Sequence, residues 1–110
     1  MTYRITYYNS AVQQSILTLP TTLAARYLAL TARMKEYGAN LGEPHSKAMG
    51  EGLFELRLKG AEGIARVFYC ALIDKEIRML HSFIKKTNKT PAKELRIAQK
   101  RLMEIKNERR

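Results

Sequence analysis

The residues in this chain that could act on a phosphate are two arginines set inside apolar runs, one histidine and a lysine pair. Arg57 interrupts LFELRLK, Arg66 interrupts IARVFYCALI, and His81 and Lys85-Lys86 lie in one segment further on. A guanidinium within an apolar stretch requires an exposed face or a partner, because an unpaired buried charge is costly. Together such groups suit cleavage of an RNA strand by attack of a 2′-hydroxyl on the adjoining phosphorus. That reaction accumulates negative charge on the phosphorus oxygens, and fixed cations stabilise it where it develops. Arginine fits because its planar fork binds two phosphate oxygens at once. One proton must leave the 2′-hydroxyl and another must reach the departing 5′-oxygen. Histidine is the side chain whose ordinary chemistry suits one of these steps, and His81 is the candidate. A lysine depressed by neighbouring cations is the alternative.

Taken singly, each residue also has a plainer role. Arg57 alternates with apolar neighbours as any solvated strand residue does, and His81 on its own reads as a satisfied core histidine. Tyr69 reads as core, and His45, in a glycine-rich stretch, as incidental. The single cysteine, Cys70, sits in an apolar run and reads as a buried thiol rather than a nucleophile. One Cys and two His, His45 and His81, lack the clustered spacing of a zinc site, so neither a metal nor a cofactor is expected.

Charge adds a direction. The 110 residues carry twenty Lys and Arg against ten Asp and Glu, a formal net charge of +10. Residues 1–40 contribute +3, residues 41–84 balance, and residues 85–110 contribute +7. So uneven a field favours a polyanion, and nucleic acid is the commonest one in the cytosol. The N-terminal MTYRITYYNS is polar and without the apolar stretch of a signal peptide, and no run is long enough to span a membrane. A cytoplasmic protein without a membrane partner is the expectation.

The elements that must position these residues follow from periodicity. Residues 3–8 are short and rich in β-formers, hence a strand. Asn9-Ser10 opens a helix that runs to Leu19, where Pro20 breaks it. Leu23, Tyr27, Leu30 and Met34 form the stripe of a second helix, ended by Gly38. Residues 38–52 hold four of the six glycines and read as a loop. Leu53–Lys59 alternates apolar and charged, placing Phe54, Leu56 and Leu58 on one face and Glu55, Arg57 and Lys59 on the other. A turn at 60–63 leads to a strand over 64–73, and Asp74-Lys75 leads to another over 76–84. Thr90 and Pro91 start a last helix over 91–106, with the stripe Leu95, Ala98, Leu102 and Ile105. The order β-α-α-β-β-β-α predicts one α+β domain over 1–110, with a small antiparallel sheet and two helices on one of its faces. One strand-parity assignment places Arg57, Arg66, His81 and Lys85 together on the opposite face, with Met79 beside His81. From the residues alone the reading is a basic α+β domain that binds nucleic acid.

Residues 52–101 add a resemblance. Leu53-Phe54-Glu55-Leu56-Arg57, Arg66 to Tyr69, Leu80-His81-Ser82-Phe83-Ile84-Lys85-Lys86-Thr87-Asn88-Lys89-Thr90-Pro91 and Glu94 to Ala98 resemble the HigB-like, phage-derived branch of the RelE/ParE toxin superfamily. Residues 1–51 agree only in their order of elements. The resemblance implies a RelE-like fold and a toxin of a type II toxin-antitoxin system. Such a toxin cuts messenger RNA in the ribosomal A site without a metal. It implies neutralisation by a cognate antitoxin, in this branch usually a helix-turn-helix protein, with operator DNA reached only through that partner. By position, Arg57 and Arg66 match the strand arginines that hold the phosphate, and Lys85 and Lys86 the basic groups after the last strand; His81 completes the candidate catalytic set. Lys59, Lys89, Lys93, Arg96, Lys100 and Arg101 are the candidate RNA-binding residues. Two other activities stay open at this point: a ParE-type toxin that binds DNA gyrase and cuts nothing, and a non-catalytic nucleic-acid-binding phage accessory protein.

Overall fold

The computed structural model describes residues 2–85 and 90–108. Its elements are β1 (Arg4–Tyr7), α1 (Ser10–Leu17), α2 (Thr21–Tyr37), β2 (Ser46–Gly50), β3 (Leu53–Gly60), β4 (Gly63–Leu72), β5 (Glu76–Lys85) and α3 (Ala92–Glu108). The strands form one sheet in the order β1-β5-β4-β3-β2. Neighbours pair antiparallel except β1, which runs parallel to β5 with Arg4 opposite Glu76 and Tyr7 opposite Met79. The expected small antiparallel sheet is therefore a five-stranded mixed one, with an extra strand at β2 and a parallel edge at β1.

Local chemistry accounts for the helices. The Asn9 side chain accepts from the Val12 amide at 2.8 Å and caps α1. The N-cap residue of α2 is Pro20, which offers no side-chain cap. Glu62, in the β3–β4 turn, fills the gap, accepting from the Thr22 amide at 2.6 Å and from its hydroxyl at 2.8 Å. A carboxylate at a helix N-terminus also meets the positive end of the helix dipole. Gly38 ends the helix at φ +102°, a conformation that favours glycine.

The sheet is covered on both faces, over different areas. On one face Leu56, Leu58, Ala65, Val67, Tyr69, Ile77 and Met79 pack with Val12 and Ile16 of α1 and Leu23, Tyr27, Leu30 and Met34 of α2. Each large apolar side chain so buried contributes roughly 1.5–3 kcal/mol. On the other face Leu53, Phe68, Cys70 and Leu80 pack with Ala98, Leu102 and Ile105 of α3. That helix is held further by Arg101, which donates to the Leu80 carbonyl at 2.7 Å, and by Tyr8, which donates to Glu104. The start of α3 differs from expectation. Its N-terminal residue is Ala92, and the Thr90 hydroxyl donates to Glu55 at 2.8 Å.

One irregularity sets the phase of β5. Phe68 lies opposite His81 but Tyr69 lies opposite Met79, so Leu80 is an inserted residue. Met79 therefore faces α1 and α2, while Leu80 packs under α3 beside His81. The expected grouping of Met79 with His81 is corrected by this bulge.

Candidate functional site

Strand register brings two of the candidate arginines together. Arg57 on β3 is opposite Arg66 on β4, and Arg66 is opposite Phe83 on β5. Both arginines lie on the α3 side of the sheet, beyond the part that α3 covers. Two like charges at paired positions repel, and the sheet supplies the remedy two residues away. Glu55, on the same face as Arg57, is 98% buried and keeps one carboxylate oxygen 3.4 Å from Arg57 Nε and 3.6 Å from Arg66 Nε. Its other oxygen accepts from Thr90. Arg57 reaches out as well, placing Nη1 3.2 Å from exposed Glu43.

Arg66 is the less satisfied of the pair. Its side chain is 12% exposed, and its Nη1 donates to the Ala65 carbonyl at 3.3 Å. The Glu55 contact is an ion pair too long for a hydrogen bond, so the buried Nε–H has no acceptor among the described residues. Burial, together with Arg57, lowers the Arg66 pKa, against the pull of Glu55. Lys85 stands at the same end of the sheet, opposite Ile64. Its ammonium is held below the usual lysine range by desolvation first, then by Arg66 and Arg57, with Glu55 acting in the other direction.

A cleft of about 310 Å³ opens over this end of the sheet, lined by Arg26, Pro44, His45, Arg57, Lys59, Ile64 and Arg66. Two of its residues lie outside the expected catalytic and RNA-binding sets, Arg26 and the His45 that read as incidental. Arg26 lies on α2, in the layer that covers the opposite face. His45 precedes β2, and its carbonyl accepts from the Arg57 amide at 2.9 Å.

His81 is placed otherwise. Its ring shares the sheet face and stacks with Phe83 at 6.2 Å between centroids. Its Nε2 lies 2.6 Å from Glu94 on α3; the carboxylate can only accept when ionised, so Nε2 donates. It lines a separate hollow of about 170 Å³ with Ala11, Val12, Ser15, Ser82 and Arg101, apart from the arginine cleft. Of the candidate RNA-binding residues, Lys59 is at the cleft, and Lys93, Arg96 and Lys100 are exposed on α3. Arg101 is engaged within the fold, its guanidinium 4.6 Å from the centre of the Tyr8 ring as well as bonded to Leu80. Lys86 and Lys89 lie outside the described residues.

The residue that sequence reasoning passed over is Glu55. Its signal was there, a carboxylate at i−2 from Arg57 and so on the same strand face. What could not be read was that this face would close over Glu55 and open over Arg57.

Comparison with known proteins gives two results. The model of the family "Phage derived protein Gp49-like (DUF891)" matches residues 14–103. Among solved structures, the fold is similar to a chain of the archaeal RelE-RelB complex from Pyrococcus horikoshii OT3. The TM-score is 0.55 at 21% identity, over 78% of this chain and 98% of that one. A search of curated proteins found no match.

Proposed function

The chain belongs to the Gp49-like family of phage-derived proteins, and from that premise we propose that it is a toxin of a toxin-antitoxin system that cuts messenger RNA. The observation that carries the reading is the register-paired Arg57 and Arg66, which line one cationic cleft. Each guanidinium carries several N–H donors in a planar fork, and phosphodiester oxygens are the acceptors that fork fits. The fold likeness to a RelE chain supports the same reading.

In this mechanism Arg57 and Arg66 grip the non-bridging oxygens of the scissile phosphate and hold the charge that grows there. Glu55 keeps the two guanidinium groups side by side and is a positioning residue. Lys85, destabilised as a cation by desolvation and by its arginine neighbours, gives up a proton more readily than an ordinary lysine, which suits it to protonate the departing 5′-oxygen, while the proton of the attacking 2′-hydroxyl passes to water. His81, tied to Glu94, anchors α3 to the sheet in this scheme rather than touching RNA. Exposed Lys93, Arg96 and Lys100 contribute long-range attraction to ribosomal or messenger RNA. The proposed setting is the ribosomal A site. The proposed regulator is a helix-turn-helix antitoxin that covers the cationic face and brings the pair to operator DNA.

The test is to add purified protein to translating ribosomes and map message ends, beside Arg57→Ala and Arg66→Ala. The nuclease reading expects new ends within A-site codons and a loss of about 10²–10³ in kcat for each variant, the usual consequence of removing one such donor. Intact messages with blocked gyrase supercoiling would replace it with the gyrase-binding activity. Intact messages and unaffected gyrase would leave a nucleic-acid-binding accessory protein.

A further inference from the structure

We propose that Arg26 and His45 form a second anion subsite, which holds a phosphodiester flanking the scissile one in a single-stranded RNA. The identity of the strand rests on the nuclease reading above; the subsite itself rests on geometry.

The two residues come from different layers and meet in the cleft that contains Arg57, Lys59 and Arg66. The short length of β2 allows this. Its register with β3 runs from Leu53 to Leu56, so the edge of β3 from Leu58 to Gly60 extends past it. The long Arg26 side chain reaches the cleft past that edge, and its Nη2 comes to 3.5 Å from His45 Nδ1. A guanidinium has only donors, so Nδ1 is the acceptor in this contact and the neutral ring carries its proton on Nε2. Both side chains thus offer N–H groups to the cleft and no acceptor.

The charge around the two subsites differs. Arg57 and Arg66 share Glu55, and Arg57 also has Glu43, so the first subsite arrives partly neutralised. Arg26 makes no ion pair among the described residues. An exposed arginine beside a half-buried arginine pair fits the repeating charge of an RNA backbone, one phosphate in the reactive position and a neighbour held at the rim. Binding energy gained at a non-reacting phosphate lowers KM without changing the chemical step.

The experiment uses the full chain, freed of its antitoxin, and a short mixed-sequence RNA whose riboses are all 2′-O-methylated, which removes the attacking hydroxyl. Affinity is measured across a salt series for the parent, Arg26→Ala, Arg26→Lys, His45→Ala and Arg57→Ala. Message cleavage on ribosomes is then measured for the same proteins. Each phosphate neutralised on a single strand contributes about 0.7 to the slope of log affinity against log salt. Arg26→Ala is expected to lose about that much slope, several-fold in affinity and several-fold in KM, with kcat unchanged. Arg26→Lys is expected to keep the slope, and His45→Ala to lose affinity with little change of slope. Thermal melting of each variant guards against a merely structural effect, which exposed Arg26 is not expected to produce.

Parent-like slope and KM in Arg26→Ala, with cleavage intact in the parent, would overturn the subsite and leave the nuclease reading standing. RNA binding with the predicted Arg26 slope but no cleavage by the parent would support the subsite and overturn the nuclease reading. No RNA binding by the parent would overturn the subsite.

Discussion

Replacing Glu55 by Gln tests the electrostatic core of the site, because it removes one charge and almost no volume. The Glu55 side chain is 3% exposed, with Arg57 Nε at 3.4 Å and Arg66 Nε at 3.6 Å from the same oxygen. In Glu55→Gln the amide oxygen can still accept from Thr90, so the tie between β3 and the approach to α3 survives. What is lost is the countercharge between two guanidinium groups held at register-paired positions. Breaking a buried ion pair by removing one partner costs about 3–5 kcal/mol. Arg57 retains Glu43 and is 29% exposed, so water and a second carboxylate share the load. The low end therefore applies, about 3 kcal/mol. For a domain of this size each kcal/mol lowers Tm by roughly 4–8 °C, which gives a fall of about 12–24 °C. Circular dichroism melting at low salt measures it. Inorganic phosphate added to the variant is expected to restore part of the loss, because an anion bound only by the native state raises its stability. RNA affinity is expected to move the opposite way and tighten, since an acid has left a cationic cleft. A Tm within about 3 °C of the parent, with RNA affinity unchanged, would refute the idea that Glu55 holds the arginine pair.

Three further predictions concern the frame around the site. A Cβ on Gly60 would lie 2.5 Å from Thr22 Oγ1 and 2.9 Å from Thr22 Cβ. Gly60→Ala is therefore expected to push α2 off the β3–β4 hairpin and cost about 1–3 kcal/mol in urea unfolding; a parent-like midpoint would contradict that packing. Burial pushes the Glu76 carboxyl up, but the hydrogen bonds from Thr6 and Arg78 prevail and hold it below its usual 4.5. Its stabilising contribution is thus present above pH 4.5 and lost as pH falls through the depressed folded value. Glu76→Gln is expected to cost about 1–2 kcal/mol at pH 7, with the difference from the parent shrinking in unfolding curves taken below pH 4.5. Tyr69 donates to the Ala39 carbonyl, and burial pushes its phenol up to about 12. Tyr69→Phe is expected to lose about 1 kcal/mol and to remove a phenol titrating near pH 12 from the ultraviolet titration.

What the sequence disclosed depended on how repetitive the signal was. The α2 stripe of Leu23, Tyr27, Leu30 and Met34 is buried as its spacing predicts, and strict alternation over Leu53–Lys59 placed Arg57 away from the α1–α2 core. Strand β2 was hidden for the opposite reason. It is an edge strand whose Lys47 and Ala48 are exposed, so no apolar alternation marks it, and its glycines read as loop. The bulge at Leu80 was equally silent, since an inserted apolar residue in an apolar strand leaves no trace in composition. That one residue decides which of Met79 and Leu80 lies under which helices. The arrangement in the cleft depends on contacts between distant segments. Nothing in the spacing of Arg26 and His45 indicates that a helix side chain would pass the end of a short strand to reach a loop histidine.

The unequal cover of the two faces has a consequence for motion. Near Leu53, Phe68, Cys70 and Leu80 the sheet is clamped between α1–α2 and α3, and toward Arg57, Arg66 and Lys85 the described helices roof only one face. Opening the clamped end means stripping two apolar cores at once, so its amides belong among the slowest to exchange with solvent. The other end can breathe from the side that these helices leave uncovered. The arginine pair stands at the border between these regimes, its backbone fixed by the slow half and its side chains offered from the fast half. A ligand meets groups already aimed.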